Sequence, residues 1–287
     1  MFNQLIELYT KGDLAQLSAK ILHSSAWKQH DFTAYGNVQI EKLWLKSIEQ
    51  FGFLEITERQ EIKGEQYSAL YIELVNEDKS EKVSITFFFE HNNLHIKKLH
   101  CIFDTLALAK LLKQDVATMT NALPASDPLL LSQFDHQLHP KSYHAMPEDI
   151  VNLPVSMKDT VNKWWNIWQE KQLANFDKTY TSDALIQIAG FGISEGFQKL
   201  RNFHLKLHNR MNRSYCQLEN ISFNEIQSSV AIKWHVDGDY LDKGAIKRIR
   251  IPVISIITIK DGVVTKEHLQ VDWLALCQQY KVSYPFI

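Results

Sequence analysis

Cysteine is scarce: there are three in 287 residues, at 101, 216 and 277. Thiols so few and so widely spaced make neither a disulfide framework nor a CxxC zinc knuckle, and they fit a reducing, cytoplasmic setting. Charge of one sign is lacking too. A formal net charge of −2 at pH 7 gives no long-range pull toward nucleic acid or an anionic membrane, so neither partner is expected. Apolar runs such as Val253 to Ile257 are far too short to span a bilayer. Nothing resembles a secretory leader, because Met1 runs straight into a mixed apolar and charged helix. No HExxH motif is present. His204 and His208 share a helix face and His136, His139 and His144 cluster, but three or four converging ligands are not evident, so no metal is expected. Gly190-x-Gly192-x-x-x-Gly196 has the wrong final spacing for a dinucleotide loop and lacks the alternating strands and helices around it. No cofactor is expected.

What the chain does have is a composition typical of a globular protein, 45% hydrophobic and 22% charged, and enough length for one large domain or two ordinary ones. It also has an internal echo. Lys98-x-His100-x-x-x-Asp104-x-Leu106-Ala107-Leu108 returns as Lys266-x-His268-x-x-x-Asp272-x-Leu274-Ala275-Leu276, 168 positions later. Repetition at so large an offset suggests two copies of one domain, each closing with a strand, an aspartate and a short helix.

The order of elements supports two copies. Five of the seven prolines, Pro124, Pro128, Pro140, Pro147 and Pro154, fall in one aperiodic stretch. That stretch reads as a connector, because proline removes a donor and restricts its neighbour. The chain thus divides into a first copy at 1–115, a connector at 116–150 and a second copy at 151–287. In the first, apolar residues at helical spacing predict a helix at the start. A second helix is expected from Asp13 as N-cap, with Leu14, Leu17, Ile21 and Leu22 on one stripe, and a third with Ile40, Leu43, Trp44 and Ile48. Strand-like runs follow to Phe103. The second copy repeats the order: a long helix with Trp164, Trp165 and Trp168, a short strand, the helix Phe197 to Met211, and four strands to Val271. Helices followed by a strand-rich run describe an α+β fold, with the helices packed on a curved antiparallel sheet.

The second half resembles the NTF2-like superfamily, and most closely its SnoaL-like (polyketide cyclase-like) branch. The resemblance is carried by Trp164-Trp165-x-x-Trp168, Tyr180-x-Ser182-Asp183-Ala184, Gly192-x-x-x-Gly196-x-x-x-Leu200, Val230-Ala231-x-x-Trp234, Asp261-Gly262-Val263-Val264 and Glu267-x-x-x-x-Asp272-x-Leu274-x-Leu276-x-Gln278. The first half fits more loosely, through Gly36-x-x-x-Ile40, Phe51-Gly52-Phe53 and His100 to Leu108, without the Asp-Gly hairpin or the middle-strand tryptophan. The resemblance implies two cone-shaped domains and, because members commonly dimerise, an intrachain pseudo-dimer compatible with a monomer.

His268, Gln270 and Asp272 occupy alternate positions and so share a strand face, as do His100 and Asp104. By resemblance, Asp272 takes the place of an acid/base that moves a proton beside a carbonyl, with His268 near it and Asp104 and His100 as the weaker copy. A carboxylate deep in an apolar cone would have its pKa raised. The plainer reading is that both aspartates are N-caps, since each stands just before a helix. The family's second polar residue comes from the preceding strand, which here offers only Arg250, Ser255 and Thr258. Trp164 and Trp168, stacked at i, i+4, serve with Trp234 and Gln270 either as core or as walls of a pocket for a flat apolar ligand. The expected function is binding of a small apolar or aromatic molecule in the second cone. The alternatives are a cofactor-independent isomerase, cyclase or hydrolase using Asp272, and a protein-interaction scaffold.

Overall fold

The computed structural model describes residues 1–29, 32–51, 54–76, 81–92, 94–115 and 147–282. The chain forms two compact units that divide between His139 and Pro140. Residues 116–146 of the expected connector, with His136, His139 and His144, lie outside the described residues.

In the first unit, helix α1 (Phe2–Lys11) buries Phe2, Leu5, Ile6, Leu8 and Tyr9 on one face and stops at Gly12, which is left-handed at φ 67°. A four-residue helix, α2 (Ala15–Ser18), leads to β1 (Ile21–Gln29), β2 (Phe32–Tyr35) and α3 (Gly36–Phe51). Strands β3 (Glu55–Lys63), β4 (Tyr67–Val75), β5 (Lys82–His91) and β6 (Ile96–Phe103) complete the sheet, and α4 (Thr105–Leu111) follows. In the second unit, α5 (Glu148–Val151) precedes α6 (Val155–Gln169), a 3-10 turn at Leu173–Asn175 and α7 (Phe176–Thr179). Then come β7 (Tyr180–Ile188), β8 (Gly192–Glu195), α8 (Gln198–Arg210), β9 (Met211–Asn224), β10 (Ser229–Asp242), β11 (Ala245–Lys260), β12 (Val263–Gln270) and α9 (Trp273–Tyr280).

Both sheets have six strands in the same order, β2-β1-β6-β5-β4-β3 and β8-β7-β12-β11-β10-β9. The duplication inferred from a short motif therefore extends to whole-sheet topology, and the α+β layout that the resemblance implied is present twice. The sheets are mixed rather than antiparallel throughout: β1 pairs with β6, and β7 with β12, in parallel. In each unit the residues alternating on one sheet face pack with the helices into a single apolar core.

The helix expected from Asp13 is corrected. Asp13 turns the chain by accepting from the Ala15 N–H at 3.0 Å, and Ile21 opens strand β1 instead of closing a helical stripe. Pairing decides it. The Ile96 N–H donates to the Lys20 carbonyl at 2.9 Å, Ser25 Oγ donates to the Ile96 carbonyl at 2.5 Å, and Trp27 packs edge-on against Trp44 at 5.1 Å. Such tertiary partners outweigh a weak local helical preference.

Candidate functional site

A carboxylate lies in the apolar core of the second unit. Glu267 lies on β12, on the same face as Leu269 and Val271 in the apolar cluster, and is wholly buried. Helix α6 carries Met157, Val161, Trp164 and Trp168 at helical spacing, which turns its aromatic face onto this strand. There Trp164 Nε1 donates to Glu267 Oε1 at 3.2 Å. Tyr180, the first residue of β7, donates its hydroxyl to Glu267 Oε2 at 2.5 Å. Ser255 on β11 adds a side-chain hydrogen bond to the same carboxylate and accepts from Trp234 Nε1 at 3.2 Å. Three strands and a helix thus place four side chains around one acid, three bonded to it directly and Trp234 through Ser255.

Burial pushes the Glu267 carboxyl up to about 7, and the bonds from Tyr180, Trp164 and Ser255 hold it back from rising further. Burial, with the facing carboxylate, lifts the Tyr180 phenol well above its ordinary value. Glu267 can therefore hold or release a proton near neutrality. Around it the tryptophans touch one another: Trp234 lies 4.8 Å from Trp168, 5.8 Å from Trp164 and 6.1 Å from Trp165, centroid to centroid. The indole N–H groups of Trp165 and Trp168 are buried without a partner among the described residues.

The first unit supplies an internal control. Matching strand registers set Tyr180 against Ile21, since each pairs with its sheet's last strand at Val264 and Ile96 respectively. By the same matching, Glu267 corresponds to Leu99, Ser255 to Phe87 and Trp234 to Ile72. Ile21, Ile72, Phe87 and Leu99 are all buried members of the first core. Glu267, Tyr180, Ser255 and Trp234 stand where the sister fold has hydrocarbon.

Of the residues expected from sequence, Trp164, Trp168 and Trp234 meet in this interior. Asp272 and Asp104 do not. Asp272 caps α9, its Oδ1 accepting from the Ala275 N–H at 3.0 Å, and Asp104 caps α4, accepting from Leu106 and Ala107 at 3.0 Å each. His268 and Gln270 are buried on the sheet face opposite Glu267, and His268 Nδ1 meets Gln187 Oε1 at 2.8 Å. His100 holds the matching position in the first unit and is also buried. Sequence reasoning missed Glu267 and Tyr180 as site residues. The signal was there: an isolated Glu in register with Leu269 and Val271 is the odd member of an apolar face.

Burial also sets the chemistry of a histidine pair on α8, lowering His204 to about 4 and His208 to about 3. All three cysteines are buried, and none forms a disulfide among the described residues. Among the described residues no group of three or more His, Cys, Asp or Glu converges as a metal shell, and no helix is long and apolar enough to cross a membrane.

No family model matches the chain, and no curated protein matches it. Solved structures similar to it include a candidate polyketide cyclase from Bacillus cereus ATCC 10987, 20% identical, covering 44% of this chain and 80% of its own, with a TM-score of 0.39. A candidate SnoaL-like polyketide cyclase from Jannaschia sp. CCS1 is 15% identical and covers 46% of this chain and 98% of its own, TM-score 0.39. An LEH-like epoxide hydrolase from M. tuberculosis is 14% identical, covering 43% and 87%, TM-score 0.34.

Proposed function

We propose that the C-terminal unit binds a small, largely apolar or aromatic molecule against its tryptophan cluster, with Glu267 as the polar anchor. One observation carries this reading. The same sheet is built in the first unit with Ile21, Ile72, Phe87 and Leu99 where the second has Tyr180, Trp234, Ser255 and Glu267. A buried acid with its hydrogen-bond partners is seldom the more stable choice over well-packed apolar side chains, so the fold gives no reason for it. A ligand does: an apolar wall supplies affinity and one polar group fixes orientation.

Titrating tryptophan fluorescence with N-phenyl-1-naphthylamine, a neutral aromatic probe with one N–H donor, tests the proposal. Saturable quenching is expected in the parent, weakened at least about tenfold in Glu267→Gln. Equal affinity in both proteins, or no saturation in the parent, would count against it.

A second reading is favoured by the near-neutral carboxyl of Glu267: proton transfer without a cofactor, as in an isomerase, cyclase or hydrolase. Turnover of an activated carbonyl substrate would then vanish in Glu267→Gln and survive in Asp272→Asn. The version that assigns the proton to Asp272 with His268 expects the reverse.

A further inference from the structure

We infer that His204 and His208 form a chelating pair for a divalent transition-metal ion, separate from the Glu267 cluster. They stand at i and i+4 on α8, the helical spacing at which two imidazoles face one ion. Their ring centroids are 4.3 Å apart. Two imidazoles sharing one ion at about 2.1 Å in a cis arrangement have centroids on the order of 4.5 Å apart, so the ring separation is compatible with one shared ion.

The hydrogen bonds favour the ligating tautomers. His204 Nε2 lies 2.8 Å from the Ile167 carbonyl, which can only accept, so Nε2 carries the proton and Nδ1 keeps a bare lone pair. His208 Nδ1 lies 2.8 Å from Ser214 Oγ. When that contact is Nδ1–H to oxygen, Nε2 is the second bare nitrogen. His204 Nδ1 and His208 Nε2 are both buried and have no partner among the described residues. His204 itself is 1% exposed. Outer bonds that fix ring orientation and tautomer, leaving the other nitrogen open, are what a metal-binding histidine needs.

Two protein ligands leave the remaining coordination positions to water or to a small exogenous ligand. That suits copper(II) or zinc(II), which imidazole binds well, and not calcium or magnesium. Lys171, held on Ser214 Oγ at 3.2 Å, is the charged neighbour and weakens the site.

Trp168 provides the readout, since its ring centroid is 5.1 Å from that of His204. Copper(II) bound there quenches buried tryptophan emission, which copper on distant surface histidines reaches poorly. One equivalent of copper(II) is expected to quench saturably at pH 7.5, with two-nitrogen hyperfine structure in the EPR spectrum, and zinc(II) in large excess should compete with it and lessen the quenching. His208→Gln, at a half-buried position, should weaken it at least tenfold while the melting curve stays cooperative, and His204→Phe should do the same. Quenching that is absent in the parent, or unchanged in a folded His208→Gln protein, overturns the inference. The Glu267→Gln protein should chelate normally, so failure here leaves the proposed ligand site standing, and the converse also holds.

Discussion

Tyr180 and Glu267, 87 residues apart in the chain, meet in the core of the second unit with the phenol oxygen 2.5 Å from the carboxylate. The contact exists because β7 and β12 run parallel and adjacent, with Tyr180 in register with Val264, so its side chain needs to reach only three residues along β12 to meet Glu267. A donor so close to a buried acid strengthens its charged form, while burial strengthens the neutral one. The near balance between them gives the site its sensitivity to proton concentration.

That balance makes a prediction about stability. The Glu267 carboxyl moves from an ordinary value of 4.5 in the unfolded chain up to about 7 in the folded one. Between these values the folded protein holds a proton that the unfolded chain has released. Stability from this group is therefore full at the acid end and falls as pH rises through 7, by on the order of 3 kcal/mol. Glu267→Gln removes that fall. Denaturant unfolding at pH 5 and pH 8 should show the variant gaining on the parent at the higher pH. His204 and His208 titrate in the opposite sense but equally in both proteins, so they cancel in the difference. Parallel pH curves would mean that Glu267 titrates as an ordinary surface acid.

Tyr180→Phe should behave differently at the two ends of the same range. At pH 8 the ionised Glu267 loses a charge-assisted bond, a loss of about 2 kcal/mol. At pH 5 the neutral acid depends less on that donor, and the loss should be smaller. A penalty independent of pH would mean that the hydroxyl acts through packing alone.

Much of the architecture was legible because it is periodic. The strand-rich run to Phe103 and the short helices after Asp104 and Asp272 form as expected, and a repeat of a few residues foretold a shared sheet order. What failed was non-local. Ile21 and Leu22 fit a helical stripe, and only pairing with β6, some 70 residues away, makes them a strand. The site was obscured for a related reason. Strand alternation grouped His268 with Gln270 and Asp272, but the strand stops at Gln270 and Asp272 lies past it as a helix cap, and no local signal says which face meets the helices. Leu269 and Val271 carried that information, through their hydrophobicity, and marked Glu267 as the inward acid.

Removing the helix caps should affect stability alone. Asp104 accepts two backbone N–H groups and Asp272 one. Asp104→Ala should therefore cost about 1–2 kcal/mol, and Asp272→Ala about 1 kcal/mol or less. Neither change should shift the affinity for N-phenyl-1-naphthylamine. A binding defect in a folded Asp272→Asn protein, which keeps an N-capping side chain, would instead give that carboxylate a part in the site.

Two glycines hold the same turn in the two units. Gly36 and Gly196 are left-handed, at φ 67° and 71°, and a Cβ would lie 3.0 Å from the His23 carbonyl oxygen in one and 2.8 Å from the Ser182 oxygen in the other. His23 is the third residue of β1 and Ser182 the third of β7, so the close approach is itself duplicated. Gly262 is left-handed too, at φ 78°, but a Cβ there would meet nothing within 4 Å. Alanine at Gly262 should therefore cost only the conformational penalty, about 1 kcal/mol. Alanine at Gly196 should add a backbone clash that no side-chain rotation relieves, for a total of at least about 2 kcal/mol, with Gly36→Ala between the two. Thermal unfolding of the three variants ranks them. If Gly196→Ala melts with Gly262→Ala, the strand carbonyl yields to the new methyl group, and close approach is not what requires glycine at this turn.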